Sequence, residues 1–180
     1  MNQPPASGTL FGHPKGLFLL FSTEMWERFS YYGMRALLIL TLVAATESTN
    51  PGFGLSNGDA LLLYGYYTGL VYAATLFGGL IADNLLGQRK SIILGGTLMA
   101  IGQFTLFAAT PHSMSLFYVG LGFIIAGNGL FKPNISAIVG DLYPQGDARR
   151  DGGFTIFYMG INLGAFIAPL VTSSLGESDA

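Results

Sequence analysis

The chain has 180 residues, of which 51% are apolar and only 10% charged, where an ordinary soluble domain carries about a quarter charged residues. That leaves too little charge to cover a water-facing surface and points to a chain embedded in a membrane. A formal net charge of −2 with no basic patch excludes a nucleic-acid binder, and the lack of cysteine excludes disulfides and thiolate chemistry.

Residues 1–16 form a polar tail with no signal-peptide core followed by a cleavage site. Five spans follow, each near or above the roughly 20 residues that cross a bilayer. They are expected at 17–45, 60–82, 91–110, 113–140 and 152–176, with 177–180 opening an extracytoplasmic loop. The joints read as loops: an Asn/Pro/Gly/Ser-rich stretch at 47–58, a short polar run at 83–90, Thr110-Pro111-His112, and Tyr143 to Asp151. The fold expected is an all-α membrane protein of about five transmembrane helices.

Lys15, Arg89, Lys90, Arg149 and Arg150 fall in the tail and in the second and fourth loops, whereas the first and third loops hold no Lys or Arg. The positive-inside rule then makes the N-terminus cytoplasmic in a multi-pass protein of the plasma or inner membrane.

The first span contains Glu24, Glu27, Arg28 and Arg35. Each charge at mid-membrane costs about 2.5 kcal/mol or more on insertion scales, so four of them call for a reason. At about 100° per residue, Glu27, Tyr31, Glu24, Arg35 and Arg28 fall in that order within an arc of about 100°. Such a stripe either lines a wet, protein-walled cavity or forms an ion-pair network that locks the bundle. Arginine holds a carboxylate by two parallel hydrogen bonds, and a neighbouring glutamate exchanges a proton when that cation changes partner. This chemistry suits a proton-coupled carrier of a zwitterion and needs no metal. The fourth span carries Lys132 beside Pro133, with Asn128 and Ser136 on the same face. Its expected partner is Glu24; the competing reading is a lysine that snorkels to an interface. Gly65, Gly69, Gly78, Gly79, Gly95, Gly96, Gly160 and Gly164 allow close helix approach.

The segment Glu24-Met25-Trp26-Glu27-Arg28-Phe29-Ser30-Tyr31-Tyr32 resembles the E-x-x-E-R-F-x-Y-Y signature of the proton-dependent oligopeptide transporter family. Phe154 to Phe166 resembles that family's second signature, and Gly127 to Asn134 its fourth-helix motif. Gly79 to Asp83, with Gly87 and Arg89, resembles the loop motif of the wider major facilitator superfamily. The resemblance runs from about Gly12 to Glu177.

It implies part of the N-terminal six-helix half of a major facilitator fold, in a symporter of di- and tripeptides that works by alternating access. Protons would be the coupling ion, without a cofactor, and the chemistry is transport rather than enzymatic. Glu24, Glu27, Arg28 and Lys132 would couple proton movement to substrate. Arg28, Arg35 and Lys132 would hold the peptide carboxylate, Tyr31, Tyr32, Tyr72 and Asn128 would line the cavity, and Asn162 would bond the peptide backbone or amino end. Asp83 and Arg89 would serve the cytoplasmic gate. The partners implied are peptide, lipid and a C-terminal half that this stretch lacks, so these five helices alone would not transport. Alternatives are a related carrier of another anion such as nitrate, or a membrane fragment with no transport role. Some animal members carry a second-helix histidine where Gly65 stands here, so coupling would rest on carboxylates.

The one-sided cation pattern makes a direct prediction. Single cysteines at Asn57 and Gln88 of the full-length protein will react with an impermeant thiol reagent from opposite sides of the membrane; labelling from one side would overturn the topology.

Overall fold

The computed structural model describes residues 8–47 and 51–176. Among them are five long helices: α1 Lys15–Val43, α2 Asn57–Ile81, α3 Gln88–Ala108, α4 Met114–Asp141 and α5 Arg150–Gly176. A two-stranded antiparallel hairpin, β1 Thr9–Leu10 and β2 His13–Pro14, precedes α1. The last four helices are long and apolar enough to cross a membrane; α1 has the length but carries the charged stripe. The described residues divide into two compact units, one made of 8–34 with 135–175 and the other of 35–47 and 51–134 with 176.

The first unit holds the hairpin, the start of α1, the end of α4, and α5. Phe11 and Gly12 form the hairpin's two-residue turn with φ of 50° and 81°, as the primed turns that suit hairpin twist require. The hairpin is fastened to the joint between α4 and α5. His13 Nδ1 and the Tyr143 hydroxyl share a 2.8 Å hydrogen bond, and Arg149 Nη1 donates to the Gly12 carbonyl at 3.0 Å. Arg149 also grips Asp147 in a fork, with Nη2 to Oδ2 at 2.7 Å and Nε to Oδ1 at 3.0 Å. These bonds hold the Asp147 carboxyl down at about 2. The fork's contribution is therefore fully present above the ordinary carboxylate value and is lost only as pH falls through about 2. Two glycines seat α5 on α1: a Cβ on Gly160 would lie 3.0 Å from the Phe21 carbonyl oxygen, and one on Gly164 only 2.2 Å from that of Met25.

The second unit holds the end of α1, α2, α3 and most of α4. Ser56 caps α2: its Oγ accepts from the Asp59 amide at 3.1 Å and donates to the Asp59 carboxylate at 2.7 Å, which satisfies one of the amides the helix start leaves without a partner. Residues Gly52 to Leu55 fold back on the end of α1, with the Phe53 amide on the Thr41 carbonyl and the Leu55 amide on that of Leu42, both at 2.9 Å. The α4 helix approaches α2 and α3 closely enough at glycines for backbone to meet backbone. A Cβ on Gly78 would fall 1.9 Å from the Gly129 oxygen, and one on Gly95 2.6 Å from the Gly127 oxygen. Phe77, Leu76, Phe104 and Phe107 stand outward from α2 and α3, a surface suited to hydrocarbon.

Several expected boundaries move. The tail is not irregular up to residue 16: the hairpin occupies 9–14 and α1 starts at Lys15. The polar run 83–90 is not a loop, because α2 continues through a π-helical turn at Ala82–Leu86 and only Gly87 separates that turn from α3. Charge and helix-breaking content were read there as a loop, yet a helix leaving the bilayer can keep its backbone bonds while its side chains become polar. The third and fourth spans are expected at 91–110 and 113–140 but run 88–108 and 114–141; α5 begins at 150 rather than 152. The stretch 177–180 lies outside the described residues. Of the glycines expected at helix contacts, Gly65, Gly69 and Gly96 would meet nothing within 4 Å among the described residues.

This contrast is testable in the purified full-length protein. Gly78→Ala forces a Cβ into the Gly129 carbonyl and will destabilise by about 1–3 kcal/mol, the cost of overpacking. Gly65→Ala meets open space and will be neutral or slightly stabilising through helix propensity, worth up to about 1 kcal/mol. Equal melting temperatures for the two variants would contradict the backbone contact.

Candidate functional site

The charged arc of α1 falls in both units, and the local arrangement in each is distinct. In the first unit Glu24 and Arg28 are almost fully buried, at 1% and 3% exposure. They lie one turn apart, and Arg28 Nε donates to Glu24 Oε1 at 2.7 Å. The same nitrogen lies 3.1 Å from Glu27 Oε2. One guanidinium thus serves two carboxylates. The second oxygen of Glu24 is buried with no hydrogen-bond partner among the described residues. Gly164 of α5 gives the arginine room, since a Cβ there would sit 3.0 Å from Arg28 Cβ. Tyr31 is buried and its ring meets that of Tyr32 edge-on at 5.4 Å. Asn162, on α5, is exposed.

In the second unit Arg35, seven residues after Arg28 on α1, donates from Nε to the Tyr64 hydroxyl of α2 at 2.8 Å. A second guanidinium nitrogen, Nη2, donates to the same oxygen. Lys132 stands over the ring of Tyr72, with Nζ 4.9 Å from its centroid, in a cation–π contact. Asn128 is buried, and its amide donates to the Met99 sulfur at 3.7 Å. Pro133 leaves the Gly129 carbonyl without its usual donor, and the neighbouring Asn134 side chain donates to the Leu130 carbonyl at 2.7 Å. Asp83 and Arg89 are exposed on either side of Gly87.

The grouping expected of Glu24, Glu27 and Arg28 is present. The expected pairing of Lys132 with Glu24 joins residues of different units. Within its own unit each has another contact, Arg28 for Glu24 and Tyr72 for Lys132. Sequence reasoning did not find the role of Tyr64 against Arg35, nor the His13–Tyr143 fastening. A tyrosine carries no charge to advertise a pairing, and both contacts join positions far apart in the chain. Among the described residues, no group of three or more His, Cys, Asp and Glu side chains could hold a metal.

Four helices long and apolar enough to cross a membrane, preceded by a helix that buries Glu24 and Arg28, define a polytopic membrane protein. Residues 89–180 match the profile of the POT family. The chain belongs to that family. It is 50% identical over 169 residues to the "Di-/tripeptide transporter" of Lactococcus lactis subsp. lactis, covering 94% of this chain and 34% of that protein. Against the "Peptide transporter YePEPT" of Yersinia enterocolitica it is 50% identical over 171 residues, covering 95% and 33%. A crystal structure of a peptide transporter POT in complex with sulfate superimposes with a TM-score of 0.89 at 48% identity, over 97% of this chain and 35% of that one. A POT family transporter in complex with 5-aminolevulinic acid gives a TM-score of 0.85 at 46% identity, over 93% and 33%. The chain therefore spans about a third of the length of the curated relatives it matches.

If Arg28 neutralises both carboxylates, removing it strands them. Arg28→Ala in the full-length protein will lower stability by about 3–5 kcal/mol, the range for breaking a buried pair from one side. Adding Glu24→Gln to Arg28→Ala will recover part of that loss because one stranded charge is gone. Strictly additive losses in thermal melting would rule out the shared ion pair.

Proposed function

We propose that the chain is the N-terminal part of a proton-coupled symporter of di- and tripeptides that works by alternating access. The observation that carries this reading is the buried triad in which Arg28 faces two carboxylates. With both glutamates ionised the three side chains sum to a formal charge of −1, and a single proton on either carboxylate brings that sum to zero. A peptide carboxylate that takes Arg28 as its partner changes how that charge is shared, which links substrate binding to proton exchange. The names of the relatives, a di-/tripeptide transporter and a peptide transporter, support the choice of cargo.

In this reading Glu24, Glu27, Arg28 and Lys132 carry proton coupling. Arg28, Arg35 and Lys132 attract the carboxylate end of the peptide; Arg35 suits a bidentate grip and Lys132 acts as a point charge. Tyr31, Tyr32, Tyr72 and Asn128 face the peptide, and Asn162, exposed on α5, bonds its backbone or amino end. Asp83 and Arg89 act at a cytoplasmic gate, and the N-terminus is cytoplasmic. Protons are the coupling ion. The remaining length seen in relatives would supply the rest of the cavity, so the 180 residues alone would not drive uptake. A carrier of a small inorganic anion would use the same three cations, and the relative crystallised with sulfate keeps that alternative in play.

The experiment is uptake into liposomes by the full-length protein, normalised to folded transporter. Glu27→Gln keeps size and hydrogen bonding but cannot ionise. It will abolish accumulation of a dipeptide driven by a pH gradient while leaving peptide counterflow, which needs no net proton movement. Wild-type accumulation by Glu27→Gln would remove Glu27 from the coupling step. Nitrate accumulation without peptide accumulation by the unaltered protein would favour the inorganic-anion reading.

A further inference from the structure

The helices α2 and α4 touch and then part. They meet around Gly129, where a Cβ would lie 2.7 Å from the Ala74 carbonyl oxygen. Toward their N-terminal ends a cavity of about 530 Å³ opens between them. Its α2 wall holds Asp59, Leu63, Tyr66 and Leu70, spaced four, three and four residues apart, and its α4 wall repeats that spacing from Met114 to Ile125. Each wall is therefore one helical stripe. Tyr66, Leu70 and Tyr118 are more than half exposed, so the cavity is a groove with an open side.

This groove is distinct from the charged arc. On α2 its wall lies roughly 170° around the helix from the midpoint of Tyr64 and Tyr72, the residues that meet Arg35 and Lys132. On α4 the wall ends at Ile125, about 10 Å short of Lys132 along the axis.

Length, lining and charge describe the occupant. From Asp59 to Leu70 the groove runs about 16 Å, half of the roughly 30 Å of hydrocarbon in a bilayer, so it is as deep as one leaflet. Apart from Asp59 the lining is apolar or tyrosine. Asp59 is exposed in the first turn of α2, at the mouth. The Ser56 hydroxyl donates to its Oδ2 at 2.7 Å, which orients the carboxylate and leaves Oδ1 available among the described residues. The surroundings have the same sign: stretches 44–59 and 109–113, at this end of the two helices, contain Glu47 and Asp59 and no Lys or Arg. An anionic headgroup is repelled there and an ammonium attracted.

We propose that the groove is a lipid site that takes one acyl chain of an aminophospholipid from the adjoining leaflet, with the headgroup ammonium on Asp59. The chain fills the space above the Gly129 contact with van der Waals contact that the diverging helices do not make with each other, and so sets their spread. The site stands independently of the peptide-carrier reading.

The test uses the full-length protein in nanodiscs of equimolar phosphatidylethanolamine and phosphatidylglycerol, with retained lipid identified by native mass spectrometry. The unaltered protein will retain one phosphatidylethanolamine, preferred about fivefold over phosphatidylglycerol, the scale of one favourable exposed ion pair. Asp59→Asn will keep the bound lipid and lose the preference. Gly122 lines the groove, and a Cβ there meets nothing within 4 Å. Gly122→Leu will therefore lower lipid occupancy at least fivefold, while its melting temperature in phospholipid-free detergent stays at or above wild type, as helix propensity favours leucine. Should Gly122→Leu fold poorly, Leu70→Trp fills the inner end of the groove and will give the same loss. Four results would each overturn the proposal. They are no retained lipid in the unaltered protein, as when further chain covers the groove; displacement of the lipid by saturating dipeptide, which would make the groove a branch of the peptide site; wild-type occupancy in the folded groove-filling variant; and an unchanged headgroup preference in Asp59→Asn.

Discussion

One buried guanidinium held between two glutamates is the constraint around which the first unit is arranged. The Arg28 side chain would be prohibitively costly in hydrocarbon alone, and the same holds for Glu24. Placing them one helical turn apart lets a single helix pair Arg28 with Glu24 from its own sequence. Glu27 also reaches Arg28, so one guanidinium is shared by two carboxylates, and protonation of either one changes how it is shared. The packing nearby serves the same end. Gly164 offers no side chain where Arg28 leaves the helix, so the α5 backbone comes close to Met25 beside the triad.

The second unit solves a different problem: bringing three apolar helices near one another without a hydrophobic driving force, since lipid tails are as apolar as leucine. Backbone-to-backbone contact at Gly78 with Gly129 and at Gly95 with Gly127 supplies dense van der Waals contact there. Such contacts also leave the side chains of α2 free for other tasks. Tyr64 and Tyr72 use that freedom to meet Arg35 and Lys132.

The charged arc was legible in the sequence because helical periodicity alone puts Glu24, Glu27 and Arg28 on one side, and an intrahelical pair needs no knowledge of tertiary structure. The helices were legible because apolar runs of bilayer length have few alternatives. Partners across helices were not. Tyr64 against Arg35 and Tyr72 under Lys132 carry no charge that a sequence would display. Glycines could be suspected at close approaches, but Gly78 and Gly65 look alike in sequence, and only the path of the neighbouring backbone distinguishes them. The hairpin at 9–14 was missed because two-residue strands have no periodicity to read, and its fastening relies on His13 and Tyr143, 130 positions apart.

The single residue between the π-helical turn and α3 has a mechanical meaning. Gly87 sits at φ 76° and ψ 155°, a region essentially reserved for glycine, and nothing lies within 4 Å of where its Cβ would be. Its identity is therefore fixed by torsion and not by crowding. The two helices are joined like rods on one pin, with no slack chain to absorb a displacement. Any turning of α2 about its axis is delivered to α3 unless the two torsions of Gly87 or the looser bonding of the π turn take it up, which makes this joint a drive shaft with one coupling, where a longer loop would have been a tether.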